Sequence, residues 1–89
     1  MKLMLVDDHQ VVRQGIASLL CSMIRDLSVT EVTCGQEAVS EYARLRPDVV
    51  LLDMGLPDIS GLEVGRRLRR RWRDSALLFF TMHDELPMV

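Results

Sequence analysis

Eighty-nine residues, 48% of them hydrophobic, with a net charge of −2, describe one globular domain that falls short of the roughly 100–150 residues of a common one. The balance excludes an intrinsically disordered chain and a second domain, and gives no global pull towards nucleic acid or anionic lipid. The longest apolar runs, Leu3–Val6, Val49–Leu52 and Ala76–Phe80, are far shorter than the roughly 20 residues of a membrane span, and Met1-Lys2 leads into Asp7-Asp8 without a signal-peptide core, so the expected compartment is the cytoplasm.

In chain order, Leu3-Met4-Leu5-Val6 is a continuous apolar run that stops at Asp7. Such a run, without alternation, predicts a strand buried on both faces, as in a parallel sheet covered by helices. Val12, Ile16, Leu19, Leu20 and Met23 recur at helical spacing and predict a helix from about His9 to Met23, with Met23 among its core-facing residues. Leu27–Thr33, with Glu31 and other polar positions, reads as a less buried strand at a sheet edge. Ala38, Tyr42 and Leu45 mark a second helix, which Pro47 ends. Val49–Leu52 before Asp53 is a second doubly buried strand, and Val64, Leu68 and Trp72 mark a third helix opening near Ser60-Gly61. Ala76–Phe80 before Thr81 has the composition of an internal strand. The order βαβαβαβ predicts an α/β fold with an open parallel sheet and right-handed crossovers.

In such a sheet ligands bind beyond the carboxyl ends of the strands, where this chain places Asp7-Asp8, Asp53 and Thr81. Carboxylates gathered at one sheet end repel each other unless a cation or hydrogen-bond donors offset the charge. An all-oxygen cluster suits Mg2+. Any one of these aspartates alone is read more simply as a helix cap or a turn residue. Together, each after a buried strand, they predict a site. Pro57 restrains the loop after Asp53, and Gly61 provides either close packing or a positive φ where the next helix begins. A carboxylate exposed and held in this way suits a nucleophile in phosphoryl transfer.

Leu5-Val6-Asp7-Asp8-His9, the spacing from Asp53 through Pro57 to Gly61, and Phe79-Phe80-Thr81 resemble the receiver domain of two-component response regulators. The run from Val6 to Gly15 is most similar to the NarL/FixJ (LuxR-type) regulators, whose receiver is usually followed by a helix-turn-helix DNA-binding domain. The resemblance implies a flavodoxin-like (CheY-like) doubly wound sheet of order 2-1-3-4-(5), with the fifth strand and last helix missing from residues 1–89 and no effector domain present. It implies that Asp53 is the phosphoacceptor for a sensor histidine kinase and that Thr81 is the switch hydroxyl. It further implies Mg2+ ligation by Asp8, Asp53 and the carbonyl of Gly55, with Asp7 acting through water. No enzymatic turnover is expected beyond self-catalysed phosphotransfer and dephosphorylation, and this part of the chain would contact neither nucleic acid nor membrane.

Two departures from the family pattern stand out. The conserved lysine of the fifth strand has no counterpart, since Lys2 lies at the opposite end of the first strand. Removal of the fifth strand would also leave the apolar fourth strand as an edge, which predicts a homodimer through strand pairing or exchanged elements. The alternative is a non-switching receiver fragment that serves only as an oligomerisation or interaction module. A haloacid-dehalogenase-type phosphatase would need a second Asp where Gly55 stands, and a dinucleotide-binding domain would need a Gly-rich turn where Asp7-Asp8-His9 stands.

The remaining residues carry bland readings. His9 is expected in the first turn of its helix, rather than as a ligand or base, and His83 as a surface residue near the site. Arg66, Arg67, Arg69, Arg70, Arg71 and Arg73 are expected on a solvated helix face, because no aromatic residues interleave to stack bases. Cys21 and Cys34 are expected as reduced thiols, one facing the core, and Met4 and Met88 as core fillers.

Overall fold

The computed structural model describes residues 1–81. Within them the chain runs β1 (Lys2–Val6), α1 (Gln10–Met23), β2 (Ser28–Val32), α2 (Gly35–Leu45), β3 (Val49–Asp53), α3 (Gly61–Arg71) and β4 (Leu77–Phe80). The four strands form one parallel sheet in the order β2-β1-β3-β4. This is the predicted topology, with β1 and β3 in the middle and β2 at one margin.

The continuous apolar runs follow from that placement. Along β1, Leu3 and Leu5 pack towards Ala17, Ile16 and Leu20 of α1, whereas Met4 and Val6 pack towards Ala38, Tyr42, Val64 and Leu68 of α2 and α3. β3 divides in the same way, Val49 and Leu51 against Val50 and Leu52. Neither strand has a solvent face, so neither needs a polar residue until it ends.

Several expectations are corrected. The helix predicted from His9 begins one residue later, with His9 as its N-cap. Its apolar stripe is narrower than the sequence suggests, because Ala17 takes the buried position, while Leu19 and Met23 are 59% and 70% exposed. With β1 at the sheet centre, α1 can seat only the Ile16, Ala17 and Leu20 face on the strands below. Cys21 is exposed and Cys34 half-buried, so neither is a core residue. As expected, β4 forms a margin of the described sheet despite its apolar composition, leaving Leu78 and Phe79 58% and 42% exposed. The arginines from Arg66 to Arg73 are all exposed, as expected. Met88 and His83 lie outside the described residues.

The third helix is set by local chemistry. Ser60 caps it, its Oγ accepting from the Glu63 amide at 3.1 Å. Glu63 in turn pairs with Arg66 and Arg67 at 2.8 and 3.1 Å, and these guanidiniums, Arg67 first, hold its carboxyl below the usual range. Gly61 at the start is there for space and not for a positive φ, since a Cβ would run into the Asp53 carbonyl and come within 2.8 Å of Met54 Cα. The first turn of α3 thus lies directly on the end of β3.

The loop between β3 and α3 is tied to the neighbouring helix by Asp58. Its two carboxylate oxygens accept from the Gly35 and Gln36 amides at 2.8 Å each, at the start of α2. These donors, Gln36 first, pull the Asp58 carboxyl down to about 2. A carboxyl whose pKa is depressed on folding contributes stability that is complete above its ordinary value near 3.8 and is lost as the pH falls towards 2. Replacement of Asp58 by Ala is therefore expected to lower the thermal midpoint by several degrees at neutral pH, and the difference should vanish in acid. Thermal unfolding of both proteins across that pH window provides the check.

Candidate functional site

Two central strands end in aspartate at the same end of the sheet. β1 leads into Asp7-Asp8, and β3 closes on Asp53. Asp7 is fully buried and Asp53 is 1% exposed, while Asp8 lies at the surface. Burial alone pushes the Asp53 carboxyl above the usual range, and the neighbouring Asp7 adds to that effect. The amide of Gly55, which donates to Asp53 Oδ1 at 3.0 Å, opposes it. Asp7 Oδ1 accepts from the backbone amide of His9 at 3.0 Å.

The other oxygens of the buried pair, Asp7 Oδ2 and Asp53 Oδ2, have no partner among the described residues. A buried carboxylate oxygen without a donor costs several kcal/mol unless a cation or proton meets it. The donor set is all carboxylate at its core, and it fits a hard divalent cation. Asp7, Asp8, His9 and Asp53 each offer a ligand atom, all within 4.8 Å of one another.

Thr81 follows β4 directly and is exposed. Phe80 is the register partner of Asp53, and its carbonyl accepts from the Met54 amide at 2.9 Å. That register puts Thr81 at the same end of the sheet as the aspartates. Thus the structure gathers Asp7, Asp8 and Asp53 into one cluster, with Gly55 on the adjoining loop and Thr81 on the neighbouring strand.

Sequence reasoning undervalued His9. Its ring turns back from the helix and holds Nδ1 2.9 Å from Asp7 Oδ1, 3.2 Å from Asp8 Oδ1 and 3.6 Å from Asp53 Oδ2. The bond to Asp7 raises its pKa, and the charges of Asp8, Asp7 and Asp53 add to it. Arg13 was also passed over. Its Nη1 donates to the Asp7 carbonyl at 2.9 Å and its Nε to Glu31 Oε1 at 2.7 Å, bracing the end of β1 against β2. A signal for it existed, since Arg13 stands one helical turn after His9 beside a strand end rich in carboxylate.

A parallel α/β sheet of order β2-β1-β3-β4 with an acidic cluster at the ends of its central strands is the arrangement of a receiver-type signalling domain. The chain belongs to the response regulator receiver domain family, matched over residues 3–89. It is 43% identical over 89 residues to the transcriptional activator protein ExaE of Pseudomonas putida, covering all of this chain and 42% of that protein. It is 40% identical over 85 residues to the response regulator UvrY of Escherichia coli K12, covering 96% of this chain and 39% of that one. The chain thus spans about two fifths of the length of these curated relatives. Among solved structures, a LuxR-family two-component response regulator from Aurantimonas superposes with a TM-score of 0.86 at 36% identity, over 93% of this chain and 59% of that one. TrrA of Thermotoga maritima, solved in complex with Mg(2+)-BeF, gives 0.85 at 26% identity, over 98% of this chain and 76% of that one. No helix among the described residues is long and apolar enough to cross a membrane.

The buried, unpartnered pair of carboxylates sets a sign for stability. Because folding raises the Asp53 pKa, its penalty is absent below the ordinary carboxylate value and complete above the folded one. Asp53→Asn is expected to stabilise the chelator-treated protein at neutral pH by about 1–3 kcal/mol. Millimolar Mg2+ should raise the wild-type thermal midpoint and close the gap. Calorimetric unfolding with and without the ion measures both effects.

Proposed function

We propose that this chain is the phosphoacceptor module of a two-component regulator, taking a phosphoryl group from a sensor histidine kinase onto Asp53. The observation that carries the reading is the burial of Asp7 and Asp53 side by side with one oxygen each left without a partner. In this reading residues 1–89 act as a receiver whose output passes to a DNA-binding domain elsewhere in the protein. The expected setting is the cytoplasm, where such kinases present their phosphohistidine.

The chemistry follows from the positions of this chain's own groups. Asp53 Oδ1 is pinned by the Gly55 amide, which leaves Oδ2 as the free oxygen. That oxygen attacks phosphorus in line with the P–N bond of the phosphohistidine; the P–O bond forms, the P–N bond breaks, and the departing imidazole takes its proton from water. Asp8, Asp53 and the Gly55 carbonyl, with Asp7 through water, would hold Mg2+, which supplies neutralisation of phosphoryl-oxygen charge when bound. Gly61 keeps the first turn of α3 against the Asp53 backbone, so the nucleophile sits on a rigid base. The Thr81 hydroxyl is the group that would turn towards the phosphoryl oxygens and bias the outer margin of the sheet between two states. The same groups work once per phosphorylation, as a self-modifying acceptor and not as a turnover catalyst.

With acetyl phosphate or beryllofluoride and Mg2+, wild-type protein is expected to form an adduct, detected by intact-mass analysis or by fluorine resonance, and Asp53→Asn is expected to form none. Adduct formation that ignores the loss of Asp53 would sink the reading.

A second reading has one observation in its favour. Within residues 1–89 the one lysine, Lys2, lies at the opposite end of β1 from the cluster. The chain would then serve as a non-switching interaction module, pairing with a second copy along the exposed Leu78 and Phe79 margin of β4. Sedimentation of the wild type with and without phosphodonor separates the two. We expect a dimer favoured by phosphorylation; a dimer indifferent to it supports the module reading, and a compact monomer in both conditions excludes the β4 pairing.

A further inference from the structure

His9 is the N-cap of α1, yet its side chain makes no capping bond to that helix. The ring turns instead over the carboxylates. Its Nδ1 lies 2.9, 3.2 and 3.6 Å from Asp7 Oδ1, Asp8 Oδ1 and Asp53 Oδ2 respectively. Two donors bound to one ion at about 2.1 Å stand about 3.0 Å apart at neighbouring octahedral positions and about 3.4 Å apart at tetrahedral ones. The three separations straddle that range.

A second observation, on the carboxylates themselves, also points to a cation. Asp7 Oδ2 and Asp53 Oδ2 are buried with no hydrogen-bond partner among the described residues. Mg2+ satisfies such oxygens but gains little from an imidazole, because it favours oxygen ligands and dehydrates reluctantly. Later first-row divalent ions accept nitrogen readily, Zn2+ and Ni2+ among them.

We propose that His9 adds a nitrogen ligand to the Asp7, Asp8 and Asp53 cluster, making it a site for a first-row transition ion of the Zn2+ type as well as for Mg2+. The inference rests on the reading of these aspartates as a cation site and concerns which ion the site prefers. His9 is half exposed at a helix end, so its replacement removes a ligand without opening the core.

The test uses the 89-residue chain carrying Cys21→Ser, Cys34→Ser and His83→Gln, so that no other thiol or imidazole competes. Zn2+ and Mg2+ are titrated separately by calorimetry into this protein and into its His9→Ala and His9→Gln derivatives, with far-UV circular dichroism to establish folding. One Zn2+ per chain is expected, and both His9 variants should bind it at least about tenfold more weakly while Mg2+ affinity changes by less than about threefold. Pulsed electron paramagnetic resonance on the Cu2+-loaded protein, with His9 intact, should show nitrogen coupling to the metal. Equal loss for both ions, unchanged Zn2+ affinity, or the absence of nitrogen coupling overturns the proposal. Failure of the underlying site has a different signature, in which Asp8→Asn and Asp53→Asn leave Mg2+ binding untouched.

Discussion

The structure turns on two carboxylates that folding places where carboxylates are costly. β1 and β3 are covered by helices on both faces, so their side chains are apolar until the last position, and there each strand gives way to an aspartate. The strands are adjacent in the sheet, with Val6 in register with Leu52. The chain therefore cannot bury its core without bringing Asp7 and Asp53 together. Folding energy from the apolar layers holds apart from water a pair that would otherwise repel and separate. A cluster maintained in this way is poised for a cation, because each ligand is positioned by the sheet rather than by the ion.

The surrounding contacts serve that same end of the sheet. Asp58 fastens the β3–α3 loop to the start of α2, and Gly61 lets the first turn of α3 close onto the Asp53 backbone. Gly35 allows the other side of this joint, since a Cβ there would meet Val64 at 2.8 Å. Arg13 braces the end of β1 from the opposite layer. None of these groups reaches the free oxygens of the aspartates, yet together they fix the loop that carries Gly55. The division of labour is between residues that fold the end of the sheet and residues left unsatisfied within it.

Much of this was legible in the sequence, for reasons that can be named. Runs such as Val49–Leu52 have one meaning in a short α/β chain, a strand with no wet face, and so the parallel sheet and the aspartates at its end were both within reach, while the strand order came from the family resemblance. The helix faces were less legible. Leu19 and Met23 satisfy helical periodicity as well as Ile16 and Leu20 do, but periodicity cannot say how many of them the sheet beneath has room for. The composition of β4 was misleading in a related way, because an apolar strand speaks of burial without saying what buries it. His9 escaped for a rotameric reason. A histidine after two aspartates is ordinary as a helix cap, and only the direction of its ring, fixed by the bond to Asp7, brings it into the cluster.

The site and the margin of the sheet are coupled through backbone, which is the stiffest route available. Asp53 is in register with Phe80, and the Met54 amide donates to the Phe80 carbonyl, so a shift at the end of β3 is carried to β4 by paired strands and not by side chains alone. On one face Phe79 rests on Gly65, where a Cβ would come within 2.7 Å of its ring. Beside them lies a groove of about 330 Å³ lined by Leu62, Gly65, Arg66, Arg69, Leu77 and Phe79. Among the described residues, β4 is thus tied to the site end by backbone pairing and carries an exposed apolar margin at Leu78 and Phe79. In the proposed reading, a change of charge at Asp53 would reach that margin through the paired strands.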